Sequence, residues 1–337
     1  MHLTVSLLSA LTLASSPEPF LRLRAGGDVM LGTTVPAGKL PPEDGATLLA
    51  GVEALLRDAD LTFVNLEGPL CDSGESTKCR KGGNCFAFRT PTHYVKYLVQ
   101  AGVDLASTAN NHSGDFGEAC RRETEATLDA QGIVWSGPRG TVGKLDYKGK
   151  KLALVAFHTA GACNDVNDLK TAAKLVREAK QWAQVVIVSF HGGAEGARAT
   201  RVKDGVERFL GENRGDLKTF ARGVIDAGAD LVLGHGPHVL RGLEVYKERL
   251  IAYSLGNFAT YGRFDLSGPL GLSVLLEVSL AEDGRFLGGR LFSTKQVGQG
   301  VPVEDEAQKG AKLLRELTRA DFPKSGPRIN DAFELAP

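Results

Sequence analysis

The sequence has no surplus of either charge: 40 Lys and Arg stand against 40 Asp and Glu, so the formal net charge is zero. Bulk nucleic-acid binding normally shows as a basic excess, and that class is disfavoured. A general steering field for a polyanion is also missing, although a local patch stays open. Past the N-terminus, no apolar run is long enough to cross a bilayer. No Gly-x-Ser-x-Gly elbow is present, which disfavours a serine hydrolase. No Gly-x-Gly-x-x-Gly follows the first apolar run, which disfavours a dinucleotide enzyme. Internal repeats and low-complexity linkers are lacking, and nothing marks a boundary between domains.

What is there is ordinary for a globular protein: 42% hydrophobic and 24% charged residues over 337 positions, enough to bury a sizeable core. The N-terminus reads as a signal peptide over 1–16. The apolar run Leu3 to Leu13 is followed by the small residues Ala14, Ser15 and Ser16, where cleavage is expected. The basic residues usual before such a run are missing, and a helical or disordered extension is the alternative. With it comes the expectation of a secreted, periplasmic or extracellular protein. Three of the five cysteines, Cys71, Cys79 and Cys85, crowd one polar, Gly-rich segment, with Cys120 and Cys163 beyond it. In an oxidising compartment they read as one or two disulfides stapling a long loop, with one thiol left over. No Cys-x-x-Cys pair occurs, so a zinc site there ranks second, and spacing leaves the pairing open.

Apolar runs alternate with helical patterns. Strands are expected at Leu21–Ala25, Leu61–Val64, Leu105–Ser107, Leu152–Phe157, Val185–Phe190, Leu231–Leu233, Leu250–Tyr253 and Gly271–Val278. Helical spacing marks Leu48–Ala59, Thr92–Ala101, Glu118–Gln131, Ala172–Trp182, Leu217–Ala227 and Ala307–Thr318. Such alternation predicts an α/β architecture with helices covering sheet faces. Closer strand succession after residue 240 suggests some antiparallel pairing. One large domain is expected over 20–300, with a peripheral helix and loose tail over 301–337.

Five of these runs end in groups that can bind a metal. The first runs through Gly26 and Gly27 to Asp28, where glycines let backbone approach closely. The second ends Asn65-Leu66-Glu67 and the third Asn110-Asn111-His112, with Asp115 just beyond. The fourth delivers His191 into Gly192-Gly193, with Glu195 following. The fifth is Gly234-His235-Gly236-Pro237-His238, read as two imidazoles on a tight Gly-Pro turn. Each has a plainer reading: Asp28 and Asp115 as turn or helix caps, Glu67 as a surface residue, His191 as structural. Yet four of the seven histidines fall at these run ends, which packing does not explain. In α/β proteins, ligands bind outside the carboxyl ends of strands.

Together with Ser254-Leu255-Gly256-Asn257-Phe258, these elements resemble the CapA capsule-synthesis family, linked to poly-γ-glutamate and similar to the calcineurin-like metallophosphoesterases. The resemblance spans residues about 21–260. It implies a metallophosphoesterase-like αββα sandwich: two mixed sheets flanked by helices, with one or two divalent ions (Mn, Zn or Fe) at the strand ends. It further implies that Asp28 binds one ion, Glu67 bridges, Asn111 and His191 bind the other, and His235 and His238 complete the pair. His112 takes the place of the acid near the leaving group. Asn65, Asn110, Asp115, Glu195 and Asn257 are further site candidates.

Three departures stand out. Met30 replaces the His expected two residues after the first Asp, which removes a ligand. The bridging carboxylate is Glu67 rather than Asp. Gly192 and Gly196 stand where the family often has Trp and Tyr, which opens the pocket. Two functions remain. One is a metal-dependent hydrolase using a metal-activated water on a phosphoester or an anionic γ-glutamyl polymer. The other is a capsule or envelope factor that binds polymer or biosynthetic machinery through a degenerate metal site.

Overall fold

The computed structural model describes residues 18–76, 78, 86–159 and 161–337. The expected signal peptide, Cys79 and Cys85 lie outside these residues.

Two sheets face each other. The first contains β1 (Leu21–Met30), β2 (Leu61–Leu66), β3 (Leu105–Ser107) and β4 (Val134–Ser136), all parallel. The second is built on β5 (Gly143–Tyr147), β6 (Lys150–His158), β7 (Asn164–Asp165), β8 (Val185–His191), β11 (Leu231–His235), β12 (Leu243–Tyr246) and β13 (Arg249–Ala252). Between β8 and β11, β9 (Arg208–Phe209) and β10 (Glu212–Asn213) form a small hairpin. The chain then returns to the first sheet with β14 (Asn257–Thr260), β15 (Leu272–Leu280), β16 (Phe286–Val297), β17 (Val301–Glu304), β18 (Arg328–Ile329) and β19 (Glu334–Ala336). β15 to β19 add the expected antiparallel half.

Period-two burial makes the layers. Leu152, Leu154, Val185, Ile187, Leu231 and Leu233 point inward to meet Leu21, Leu23, Leu61 and Phe63 of the facing sheet. Their neighbours Val155, Val186, Val188 and Val232 point outward under helices α4 (Leu169–Trp182) and α5 (Leu217–Asp226). Val64, Leu66 and Ala106 lie similarly under α1 (Glu53–Arg57), α2 (Val95–Gln100) and α3 (Gly117–Ala130). The result is the expected sandwich of two mixed sheets between helices. Both α4 and α5 begin at aspartate caps: Asp168 and Asp216 accept from the N–H groups of Thr171 and Thr219.

Two expectations change. The helix expected over Leu48–Ala59 narrows to α1. Leu48, Leu49, Val52 and Leu56 keep the apolar spacing, but residues 46–52 run in turns closed by bonds such as Leu48 N–H to Gly45 O. The tail expected over 301–337 is instead integral. β17 pairs with β16, and α6 (Lys309–Asp321) places Ala311 and Leu314 in the core between the sheets. β18 and β19 then extend the first sheet. Strands of two to four residues show no period to read in sequence. Among the described cysteines, Cys71 pairs with Cys120 on α3, and Cys163 is a buried free thiol. Closing a loop of sequence separation 49 is worth about 4 kcal/mol in the chain-entropy model.

Candidate metal centre

The parallel strands of the second sheet bring three histidines side by side. His158, His191 and His235 end β6, β8 and β11 and are mutually in register. Each continues the inward-facing alternation of its strand, so all three imidazoles face the other sheet. His235 is therefore the last residue of a buried strand and not part of a turn; only His238 lies on the turn.

The first sheet supplies the carboxylates by a different device. Along β1, residues 21, 23 and 25 point inward, so unbroken alternation would turn Asp28 outward. Gly26-Gly27 insert one extra residue opposite β2: Ala25 pairs with Phe63, but Asp28 pairs with Asn65. This bulge re-aims Asp28 to the inner face. Glycine is needed at 27, because a Cβ there would overlap the Gly256 carbonyl oxygen. Glu67 follows β2 directly, its N–H donating to Val29 O (2.8 Å).

These side chains converge. Asn65 Nδ2 donates to Asp28 Oδ1 (2.8 Å). Asp28 Oδ2 lies 3.1 Å from His238 Nδ1, and Asp28 Oδ1 lies 3.3 Å from His235 Nδ1. Asn257 Oδ1 is a second acceptor for His238 Nδ1 (3.0 Å). With acceptors on that side, Nδ1 carries the proton and Nε2 faces Glu67 Oε1 at 3.6 Å and Glu195 Oε2 at 3.9 Å. His191 Nε2 lies 3.2 Å from the same Glu67 oxygen. Donor atoms of Glu67, His191 and His238 thus fall within 4.8 Å of one another. His238 adopts a left-handed backbone (φ 61°) after Gly236, a conformation costing about 1–3 kcal/mol in a non-glycine residue.

Asn110 braces the neighbouring loop, donating to Leu66 O (2.8 Å) and accepting from the His112 N–H (3.1 Å). His112 Nδ1 lies 2.6 Å from Asp115 Oδ2, which fixes its tautomer. Asp115 also accepts from Phe88 N–H (2.8 Å) and Lys78 Nζ (2.7 Å), so it orients the histidine and does not cap α3. Phe88 stacks on His112 and Phe264 packs on His238, with the two phenyl rings 5.3 Å apart. Asn111 places its Oδ1 in the interior with no partner. Glu195 stands at the rim, paired with the buried Arg214 (2.8 Å).

The charges are strongly perturbed. Burial pushes the Glu67 carboxyl well above its usual range and pushes His191 well below its own. Burial also works against the His238 cation, but Glu67 and Asp28 outweigh it and hold the imidazole up at about 10. For Asp28, burial is overcome by the adjacent His235 and His238 imidazoles, which hold the carboxyl well below the carboxylate range. Burial, only partly offset by Asp115, brings His112 down to about 4. Burial likewise lowers His158 to about 3.

All the expected residues lie in this region, with His112 and Asp115 forming an adjoining pair. Sequence reasoning missed His158, whose Nδ1 donates to the backbone oxygen of His191 (2.8 Å). It carried the same signal as the others, a ligand-type residue ending an apolar strand, but the expected strand stopped at Phe157. Arg214 and Lys78 were missed as well, since nothing local distinguishes a buried arginine or a loop lysine from a surface one.

Among known proteins, this chain is 28% identical over 315 residues to the PGA biosynthesis protein CapA of Bacillus subtilis, covering 87% of this chain and 76% of that protein. It is 26% identical over 314 residues to the capsule biosynthesis protein CapA of Bacillus anthracis, covering 87% and 72% respectively. Among solved structures, a 5'-nucleotidase precursor from Thermus thermophilus matches at a TM-score of 0.44 and 14% identity, covering 89% of this chain and 58% of that one. The model of the bacterial capsule synthesis protein family, PGA_cap, matches residues 22–261, the span that holds every residue of the centre. The chain belongs to that bacterial capsule synthesis family.

Proposed function

We propose that this protein is a metal-dependent hydrolase of capsule or poly-γ-glutamate metabolism, working at the cell envelope beside the polymer-forming machinery. One observation carries the reading. Both carboxylate oxygens of Glu67, Oδ1 of Asn111 and both ring nitrogens of His191 and His235 are buried without a hydrogen-bond partner. A buried polar atom without a partner costs about 1–3 kcal/mol, and native interiors tolerate few of them. The clustering of Glu67, His191 and His235 with Asp28 and His238 at the strand ends fits a divalent cation as the missing partner. Oxygen and imidazole donors suit Zn, Mn or Fe.

Glu67, His191 and His238 would hold such an ion, with Asn111 and His235 alongside. A bound divalent ion polarises the scissile group and lowers the pKa of water. The protein's own groups do the rest. Asn65, Asp28 and Asn257 hold the His238 ring in one orientation. Asp115 holds the proton of His112 at Nδ1, leaving Nε2 to exchange protons with a reacting group. Since His112 is uncharged at neutral pH, it accepts a proton before it can donate one. Lys78, beside His112 and partly exposed, supplies positive charge for an anionic substrate.

The Cys71–Cys120 disulfide supports an oxidising compartment, in line with the expected signal peptide. Among the described residues, no helix is long and apolar enough to cross a membrane. The test is metal analysis of purified protein, followed by hydrolysis assays on a generic phosphodiester and on poly-γ-glutamate. Tightly held metal with turnover supports the hydrolase, and absence of tightly held metal ends that reading. Met30 favours a second one, a factor that binds polymer without turnover. In that case polymer binding would survive His112→Ala while neither substrate is cleaved.

A further inference from the structure

The donor groups of the centre do not divide into two equal sets. Among the His, Cys, Asp and Glu side chains of the described residues, one group of three ligand atoms closes to within 4.8 Å, on Glu67, His191 and His238. On the other side, Asp28 and His235 are the only two His, Cys, Asp or Glu groups among the described residues of the centre, and the buried amide oxygen of Asn111 is a neutral donor beside them. A catalytic metal site typically has three protein ligands.

Met30 occupies the place where a third ligand would be expected. It is fully buried, its sulfur accepts from the Gly32 N–H (3.3 Å), and its side chain packs over Gly68. Asp28 is itself engaged on both oxygens, by Asn65 on one and His238 on the other.

Building on the metal-dependent reading above, we infer that the centre holds one divalent cation on Glu67, His191 and His238, and that Asp28 is a positioning residue for His238. The arrangement is a carboxylate–histidine–metal relay. Asp28 accepts from Nδ1–H, which fixes the tautomer, aims Nε2 at Glu67 and raises its basicity. Asn257, in register with Asp28 on the adjacent strand β14, accepts from the same Nδ1–H. The bulge at Gly26-Gly27 then serves to seat an orienting carboxylate behind an imidazole.

The test uses the whole chain, stripped with chelator and dialysed against Mn2+ alone. Bound metal is counted by atomic emission, and the electron paramagnetic resonance spectrum is recorded. One ion per chain is expected, with the hyperfine pattern of an isolated ion. Glu67→Gln and His238→Ala should lose the ion. Asp28→Asn should keep a stoichiometry of one, with affinity weaker by on the order of 10–100-fold, because its amide oxygen still accepts from Nδ1–H. Two ions per chain, or the spectrum of an exchange-coupled pair, would overturn the inference but leave the metal-dependent reading in place. No bound ion in the unmodified chain would overturn that reading itself. Complete loss of metal from a folded Asp28→Asn variant would make Asp28 a ligand and overturn its positioning role. Should Asp28→Asn not fold, the count and spectrum of the unmodified chain still decide between one ion and two.

Discussion

Glu67→Gln separates what the centre costs from what it binds. In the metal-free chain, Glu67 is fully buried, and neither carboxylate oxygen has a hydrogen-bond donor. Because burial raises the Glu67 carboxyl, folding near neutral pH must either bury its charge or take up a proton, at a cost of several kcal/mol, whereas an unsatisfied neutral amide costs about 1–3 kcal/mol. The substitution should therefore stabilise metal-free protein by about 1–3 kcal/mol. Unfolding entropy near 2.1 cal/mol/K per residue makes 1 kcal/mol worth about 1.4 °C for a chain of 337 residues. Melting of chelated protein should rise by about 1–4 °C. Addition of metal at a hundredfold excess over Kd should add about 2.7 kcal/mol, or about 4 °C, to the unmodified chain and nothing to the variant. Differential scanning fluorimetry with and without chelator reads both effects. If Glu67→Gln melted lower than the parent in chelator, or kept the metal-induced shift, the cation-centred account of the buried carboxylate would be wrong.

Other outcomes follow from the same structure. In chelator, Glu67 and His238 both bind their protons more tightly folded than unfolded, so both favour the folded state at low pH. The His238 contribution is complete below 6.5 and is lost as pH rises through about 10, so melting of chelated protein should fall over that window. A flat profile there would argue against the Glu67–Asp28 field around His238. Cys71→Ser should cost about 4 kcal/mol, or about 6 °C, under oxidising conditions, and reductant should do the same to the parent; an unchanged melting point would mean that the bridge does not form. Arg241 is buried and pairs with Glu207 through both terminal nitrogens (2.7 and 2.8 Å). Arg241→Ala should therefore cost about 3–5 kcal/mol in urea unfolding, and a loss below 1 kcal/mol would show that the pair is solvated.

The residue pattern alone was enough for the strand ends. That Glu67, His191 and His235 stand where apolar strands end was legible from side-chain type and position, and their role as ligands is the proposal that metal analysis tests. The α/β layering was legible from periodicity, as Val185–His191 and Leu217–Asp226 show. The closing stretch from residue 301 was not. Its strands of two to four residues have no period, and they are held by pairing with β16 and with one another.

What the order of amino acids determined by itself was which chemical groups stand at the strand ends and that the chain alternates strand and helix. Both are local properties, set by side-chain type and spacing. Only the folded chain decided how those groups meet: the bulge that turns Asp28 inward, the register that sets His158 beside His191, and the choice of which histidine nitrogen faces Glu67. Those depend on pairing between residues far apart in sequence, and their energies exist only once both sheets are in place.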